Sequence, residues 1–141
     1  AREMYLKRRG PYGKKPKEDL HSILTGIGQQ KGHIHLSIAK PLTAEEIASA
    51  AAQSGNDRYQ ALRGILDSRI HEGYKLWKTN YMAYDLMHGT SEFLGDKYLP
   101  EDLEHFKTYT EHKLSKLERS LDREELRDIF WHIYGNPVEQ L

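Results

Sequence analysis

The clearest alternation of apolar and polar residues lies near the N-terminal end. Ile34, Leu36 and Ile38 fall on one side and His33, His35 and Ser37 on the other, the period of two that predicts a half-buried strand over 33–39. Pro41 cannot donate to a ladder and ends it. A lone strand needs partners for its edges and cover for its apolar face. This one is therefore expected to be poorly paired, borrowed by a neighbouring molecule, or joined only to a short improvised partner.

Past Pro41 the spacing becomes helical. Thr43-Ala44-Glu45-Glu46 has the form of a capping box opening an alanine-rich turn that runs to Gly55-Asn56. From about Asp57 to Glu72, Tyr59, Leu62, Ile65, Leu66 and Ile70 share one helix face. Thr79 is placed to cap a short helix bearing Tyr81, Met82, Tyr84, Leu86 and Met87 and closed by Gly89. That helix is apolar nearly all round, so it is expected at the centre of the helical part. Pro100-Glu101-Asp102 then starts a long helix on which Leu103, Phe106, Thr110, Leu114, Leu117 and Leu121 recur at three- and four-residue steps. Asp122 with Glu125 predicts a last helix, stopped by Gly135-Asn136-Pro137.

Ahead of the strand, Ala1-Arg2-Glu3-Met4-Tyr5-Leu6 reads as the middle of a helix with no initiating Met before it, which suggests a piece of a longer protein. Residues 7–19 hold six Lys or Arg with two Pro and two Gly, a composition that favours an exposed connector. Ser22-Ile23-Leu24-Thr25-Gly26-Ile27-Gly28 reads as a short helix running into a glycine turn. The sum is a mostly α chain, a bundle of about four to five helices with one short N-terminal strand. Residues 1–42 are expected to be a basic connector plus the terminal strand of a catalytic domain lying upstream, and 43–141 a helical C-terminal domain.

Composition narrows the function classes. Lys plus Arg and Asp plus Glu are equal at 21 each, so no overall field favours nucleic acid. Cysteine is absent, which removes disulfides, thiolate nucleophiles and thiolate zinc sites. No apolar run approaches membrane-span length and no signal peptide is legible. A soluble, cytoplasmic chain is expected.

Eight histidines make metal or acid–base chemistry the first candidate. His33 and His35 have ligand-like spacing on one strand face, but the strand offers no third ligand. His105 and His112 share a helix face with Glu101, Glu104, Glu111 and Glu118, which reads as a solvated stripe. His71-Glu72 is not continued as a zinc-protease motif. Asp67, Arg69, His71 and Asp85 form a possible buried polar network among the aromatics. The Tyr74–Asp85 run, with Trp77, Tyr81 and Tyr84 beside Lys75, Lys78 and Asn80, reads as core with its polar atoms satisfied at the edge. No catalytic or metal residue is assigned. Lys7, Arg8, Arg9, Lys14 and Lys15 are candidates for contact with a membrane surface or phosphate.

Ser22-Ile23-Leu24-Thr25-Gly26-Ile27 followed by Lys31-Gly32-His33-Ile34-His35-Leu36-Ser37-Ile38-Ala39-Lys40-Pro41-Leu42 resembles the closing strand of the bacterial glycerolipid (lysophosphatidic acid type) acyltransferase family. In that family a Gly, an alternating strand and a small-x-Pro-apolar ending complete the catalytic sheet. Ile65-Leu66-Asp67-Ser68-Arg69-Ile70-His71, Tyr74-Lys75-Leu76-Trp77 and Asn80-Tyr81-Met82-Ala83-Tyr84-Asp85 look like the helical tail that follows the domain in one bacterial branch. The resemblance implies a parent enzyme that moves a fatty acyl group from acyl-CoA or acyl-carrier protein to a lysophospholipid or glycerol phosphate, peripheral to the inner membrane. The family's chemistry needs a His followed five positions later by Asp, and a downstream Glu-Gly block with an acceptor-binding Arg. Position +5 from the eight histidines is Gly26, Ile38, Lys40, Leu76, Phe93, Thr110, Leu117 or Pro137, never Asp. The resemblance thus implies a non-catalytic C-terminal region whose partner is the upstream catalytic domain of the same polypeptide, with peripheral membrane contact through the parent, no nucleic acid, and homo-oligomer formation through the unpaired strand as a further possibility. The competing expectation is a stand-alone interaction module that docks a partner helix on the 103–121 face.

Overall fold

The computed structural model describes residues 1–29 and 32–141; Gln30, and Lys31 at the head of the 31–42 run, lie outside the described residues. Among the described residues there are seven α-helices and no strand: α1 (Arg2–Arg8), α2 (Glu18–Gly28), α3 (Ala44–Ala51), α4 (Asp57–Gly73), α5 (Lys78–His88), α6 (Pro100–Leu114) and α7 (Arg123–Gln140). This corrects the expected four to five helices with a strand at 33–39. Two helices form on either side of the basic connector, and the alternating segment has no strand to pair with. The chain divides into two compact units, Ala1–Gln30 with Leu76–Leu141, and Lys31–Lys75.

In the first unit α5 packs along α7, with α6 and α1 also against α7. Met82, Ala83, Tyr98 and Phe106 form one buried cluster, with Phe130, Trp131 and Tyr134 against it. Leu114, Leu126, Ile129 and Tyr5 form another. The all-round apolar character of α5 does mark a buried helix: Asn80, Met82, Ala83 and Asp85 are all buried. Its start is set differently from the expected Thr79 cap. The Trp77 backbone N–H donates to Asn80 Oδ1 at 2.7 Å, and Asn80 Nδ2 donates to the Tyr134 carbonyl at 2.8 Å, so one buried amide both caps α5 and ties it to α7.

Two helix ends also differ from expectation. The long helix stops at Leu114, and Leu117 and Leu121 lie beyond it while still packing on the Leu114 cluster. The Arg123 guanidinium donates to the carbonyls of Leu114 and Leu117, satisfying acceptors that a helix end leaves free. The last helix, capped by Asp122 Oδ1 accepting from the Glu125 N–H at 3.0 Å, passes Gly135-Asn136-Pro137 and ends at Gln140. Gly135 is buried where α7 meets α5; a Cβ there would collide with Met87 and sit 3.0 Å from the Tyr84 nitrogen. It is a close-approach glycine, and the packing it permits, with the Asn80 bond to Tyr134, holds the chain helical past Pro137.

In the second unit α3 packs on α4. The expected capping box is present, with the Glu46 N–H donating to Thr43 Oγ1 at 3.2 Å and the Thr43 N–H to Glu46 Oε2 at 2.7 Å. Arg69 Nη2 on α4 donates to Glu46 Oε1 at 2.6 Å, and Nη1 to the Lys40 carbonyl at 3.1 Å.

Candidate functional site

The 33–39 segment forms neither helix nor strand and enters no ladder or bridge among the described residues, which corrects the strand expected there. Its two rows meet different fates within the second unit. On the polar side, His35 Nε2 lies 3.0 Å from the Gly73 carbonyl. A Cβ on Gly73 would come within 2.9 Å of Ser37 Cβ, so the absence of a side chain there lets the segment lie against the end of α4. On the apolar side, Ile34, Leu36 and Ile38 are 77%, 81% and 88% exposed. These are the most exposed aliphatic side chains among the large hydrophobics of the chain, and isolated surface leucines do not line up this way.

In the first unit α2 shows the same imbalance. Leu20, Ile23, Leu24 and Ile27 recur at helical spacing on one face and are all exposed. The helix buries no residue, and no other helix packs against it among the described residues. Polar contacts hold its ends. Arg2 Nη1 donates to Glu18 Oε1 at 3.1 Å, the Tyr12 hydroxyl donates to the same oxygen, and Lys113 Nζ donates to Gln29 Oε1 at 3.3 Å.

The basic candidates are mostly engaged inside the first unit. Lys7 pairs with Glu3 at 2.8 Å and Lys14 with Asp19 at 2.6 Å. Arg8 lies 3.7 Å from Asp128, and Arg9 pairs with Glu125 at 2.5 Å while its guanidinium covers the Tyr5 ring at 3.8 Å. Arg8 and Arg9 therefore clamp α1 to the N-terminal turn of α7. Only Lys15, among these five and the described residues, makes no ion pair; its backbone N–H donates to Glu18 Oε2 at 2.9 Å.

The expected network of Asp67, Arg69, His71 and Asp85 does not assemble. Asp67 pairs with Arg63 at 3.2 Å, Arg69 with Glu46, and His71 is exposed. Asp85 instead anchors the loop after α5. Its Oδ1 accepts from Thr90 Oγ1 at 2.5 Å and the Glu92 N–H at 2.8 Å, and its Oδ2 from the Tyr98 hydroxyl at 2.7 Å and the Phe93 N–H at 3.0 Å. Burial pushes this carboxyl up, but the four donors together bring it below the usual range. Burial, then the bond to Asp85, pushes the Tyr98 phenol up. Each carboxylate oxygen already accepts two bonds, so Asp85 is a structural staple with no lone pair directed at a substrate. The sequence signal for it is a buried-face Asp followed by Thr five residues on and a Tyr thirteen residues on.

Among the described residues no three His, Asp or Glu side chains gather as a metal site, and no helix is long and apolar enough to cross a membrane. The 103–121 face proposed for docking a partner helix is occupied from within, since Phe106, Thr110 and Leu114 are buried. Compared with family models, curated proteins and solved structures, the chain matches none.

Proposed function

We propose that this chain is the C-terminal region of a bacterial glycerolipid acyltransferase, and that its task there is to finish the catalytic sheet and cover it rather than to perform the chemistry. The observation that carries this reading is the alternating 33–39 sequence with its aliphatic residues bare. His35 meets the end of α4, while Ile34, Leu36 and Ile38 are exposed. The quoted motifs support the family: the alternating strand, the Ala39-Lys40-Pro41-Leu42 ending and the aromatic run on α5.

In the parent, the acyl carbon of a thioester carrier, acyl-CoA or acyl-carrier protein, passes to a hydroxyl of a lysophospholipid or glycerol phosphate. The carbon–sulfur bond breaks, an ester bond forms, and the hydroxyl proton leaves through an upstream His base to the departing thiolate. The residues for that step lie before Arg2 in this reading. The membrane is met through the parent.

Two measurements test the reading. The gene is read upstream of Arg2 for a His followed five positions later by Asp, and for a Glu-Gly block. Acyl transfer from acyl-CoA to a lysophospholipid is then assayed in the full-length parent, with and without this region. Both blocks present and activity lost on removing the region are expected; absent blocks, or full activity without the region, overturn the proposal.

A further inference from the structure

Helix α2 lies inside out in its unit. Glu18, Ser22 and Gln29 recur at helical spacing on one face, and that polar face is the one turned to the rest of the unit. Glu18 bonds to Arg2, Glu18 and Ser22 line a cleft with Leu117 and Phe130, and Gln29 accepts from Lys113. With about 3.6 residues per turn, Leu20, Ile23, Leu24 and Ile27 centre half a turn away from this face. The aliphatic row therefore points away from its own unit, its side chains 54% to 74% exposed.

The chemistry of the row selects among occupants. A lipid surface recruits helices with Lys or Arg on the polar face and aromatic anchors on the other; here the polar face has no cation and the row is purely aliphatic. The helix is instead complementary to itself. When two copies lie antiparallel about a two-fold axis between residues 23 and 24, Leu20 of each meets Ile27 of the other, and Ile23 and Leu24 of both form the centre. Asp19 and His21, which flank the row, then fall beside Gly26 and Gly28 of the second copy. Glycine weakens a helix relative to alanine, and among the described residues no atom lies within 4 Å of a Cβ built at either position, so both leave room for a closely approaching helix. Charge fixes the direction. Glu18 and Asp19 share the first turn, so antiparallel pairing keeps the carboxylates of the two copies at opposite ends, whereas parallel pairing sets all four together.

We propose that the aliphatic row of α2 is a self-association surface, through which two copies of this chain pair antiparallel by Leu20, Ile23, Leu24 and Ile27. Four such side chains offer roughly 100 Å² each, about half of the roughly 800 Å² per partner of a standard stable interface. The pair is accordingly weak and reversible, formed at high concentration and absent from dilute solution. It places contact between copies on α2 rather than on 34–38, and it does not depend on the acyltransferase reading.

Sedimentation velocity on this chain, from low micromolar to near millimolar concentration, tests it. The boundary is expected to shift from monomer toward dimer across that range. Ile23→Glu should abolish the shift while leaving the thermal melting of the dilute chain unchanged, and Leu36→Glu should leave the shift intact. The absence of native cysteine allows the register to be read directly: in a mixture of Leu20→Cys and Ile27→Cys chains under mild oxidation, the mixed disulfide is expected to exceed either like-with-like product. A monomer at every concentration overturns the proposal, as does a shift that survives Ile23→Glu or is lost in Leu36→Glu. Dominant like-with-like disulfides overturn the antiparallel pairing. Slowed amide exchange of 21–27 on adding phosphatidylglycerol vesicles to the dilute monomer overturns it too, by making lipid the occupant of the row.

Discussion

The α5–α7 core and the 20–39 stretch use their aliphatic residues in opposite ways. In the core, Leu126 and Ile129 are fully buried, and the Phe106 ring meets Tyr134 edge-on at 5.7 Å. In the 20–39 stretch not one Leu or Ile is buried. Periodicity alone does not separate these cases, because a helix stripe or strand row has the same pattern whether its cover is in the chain or elsewhere. The difference lies in what each row meets. The core rows face one another within one unit, whereas the bare rows are covered by nothing among the described residues.

The largest effect expected from this contrast is on removing core volume. Leu126→Ala or Ile129→Ala is expected to cost about 2–5 kcal/mol, read by denaturant unfolding of the chain. Asp85→Ala follows at about 1–3 kcal/mol, because it leaves the buried Tyr98 hydroxyl without its acceptor and removes the bonds that hold Thr90 and the Glu92 and Phe93 N–H groups. Its pH signature is distinct. The Asp85 carboxyl lies lower in the folded chain than in the unfolded one, so its contribution is present above about pH 4 and is lost as pH falls through the folded value. The Tyr98 phenol is raised, so its contribution is present below about pH 10 and is lost as pH rises toward the folded value. Melting across pH checks both, and Asp85→Ala should flatten the acid limb.

A smaller loss is expected from Gly135→Ala, about 1–3 kcal/mol, because the added methyl has Met87 and the Tyr84 backbone against it. The smallest belongs to the bare rows: Ile27→Ser or Leu36→Ser should change the stability of this chain by less than about 0.5 kcal/mol, as side chains in water carry little burial energy to lose. A cost of several kcal/mol at either position would erase the contrast.

The residues announce much of this fold. The Thr43–Glu46 box, the start of α7 at Asp122, the helix from Asp57 and the burial of α5 all follow from local patterns of caps and spacing. The misses share a cause, which is a non-local contact overriding a local signal. Gly135-Asn136-Pro137 has the composition of a stop, yet Gly135 serves the approach of α5 to α7. Leu117 and Leu121 continue the spacing of α6, yet Arg123 closes that helix at Leu114. Asp85 reads in the sequence as part of a buried polar network with Asp67, Arg69 and His71, but its partners lie in the following loop. For the candidate site the pattern is legible and its outcome is not: alternation over 33–39 fixes which residues form a row, while a ladder needs a second strand that the described residues do not supply.

The α5–α7 core buries its own apolar rows, while the aliphatic residues of α2 and of 34–38 stay bare. Residue-resolved amide exchange of this chain, dilute and without additives, tests it most directly. The amides of 34–38 and 21–27 are predicted to exchange within about tenfold of their unstructured rates, and those of 82–86 and 126–130 at least about a thousandfold more slowly. Slow exchange over 34–38 under those conditions would mean that the segment already has its partner, and would contradict the account.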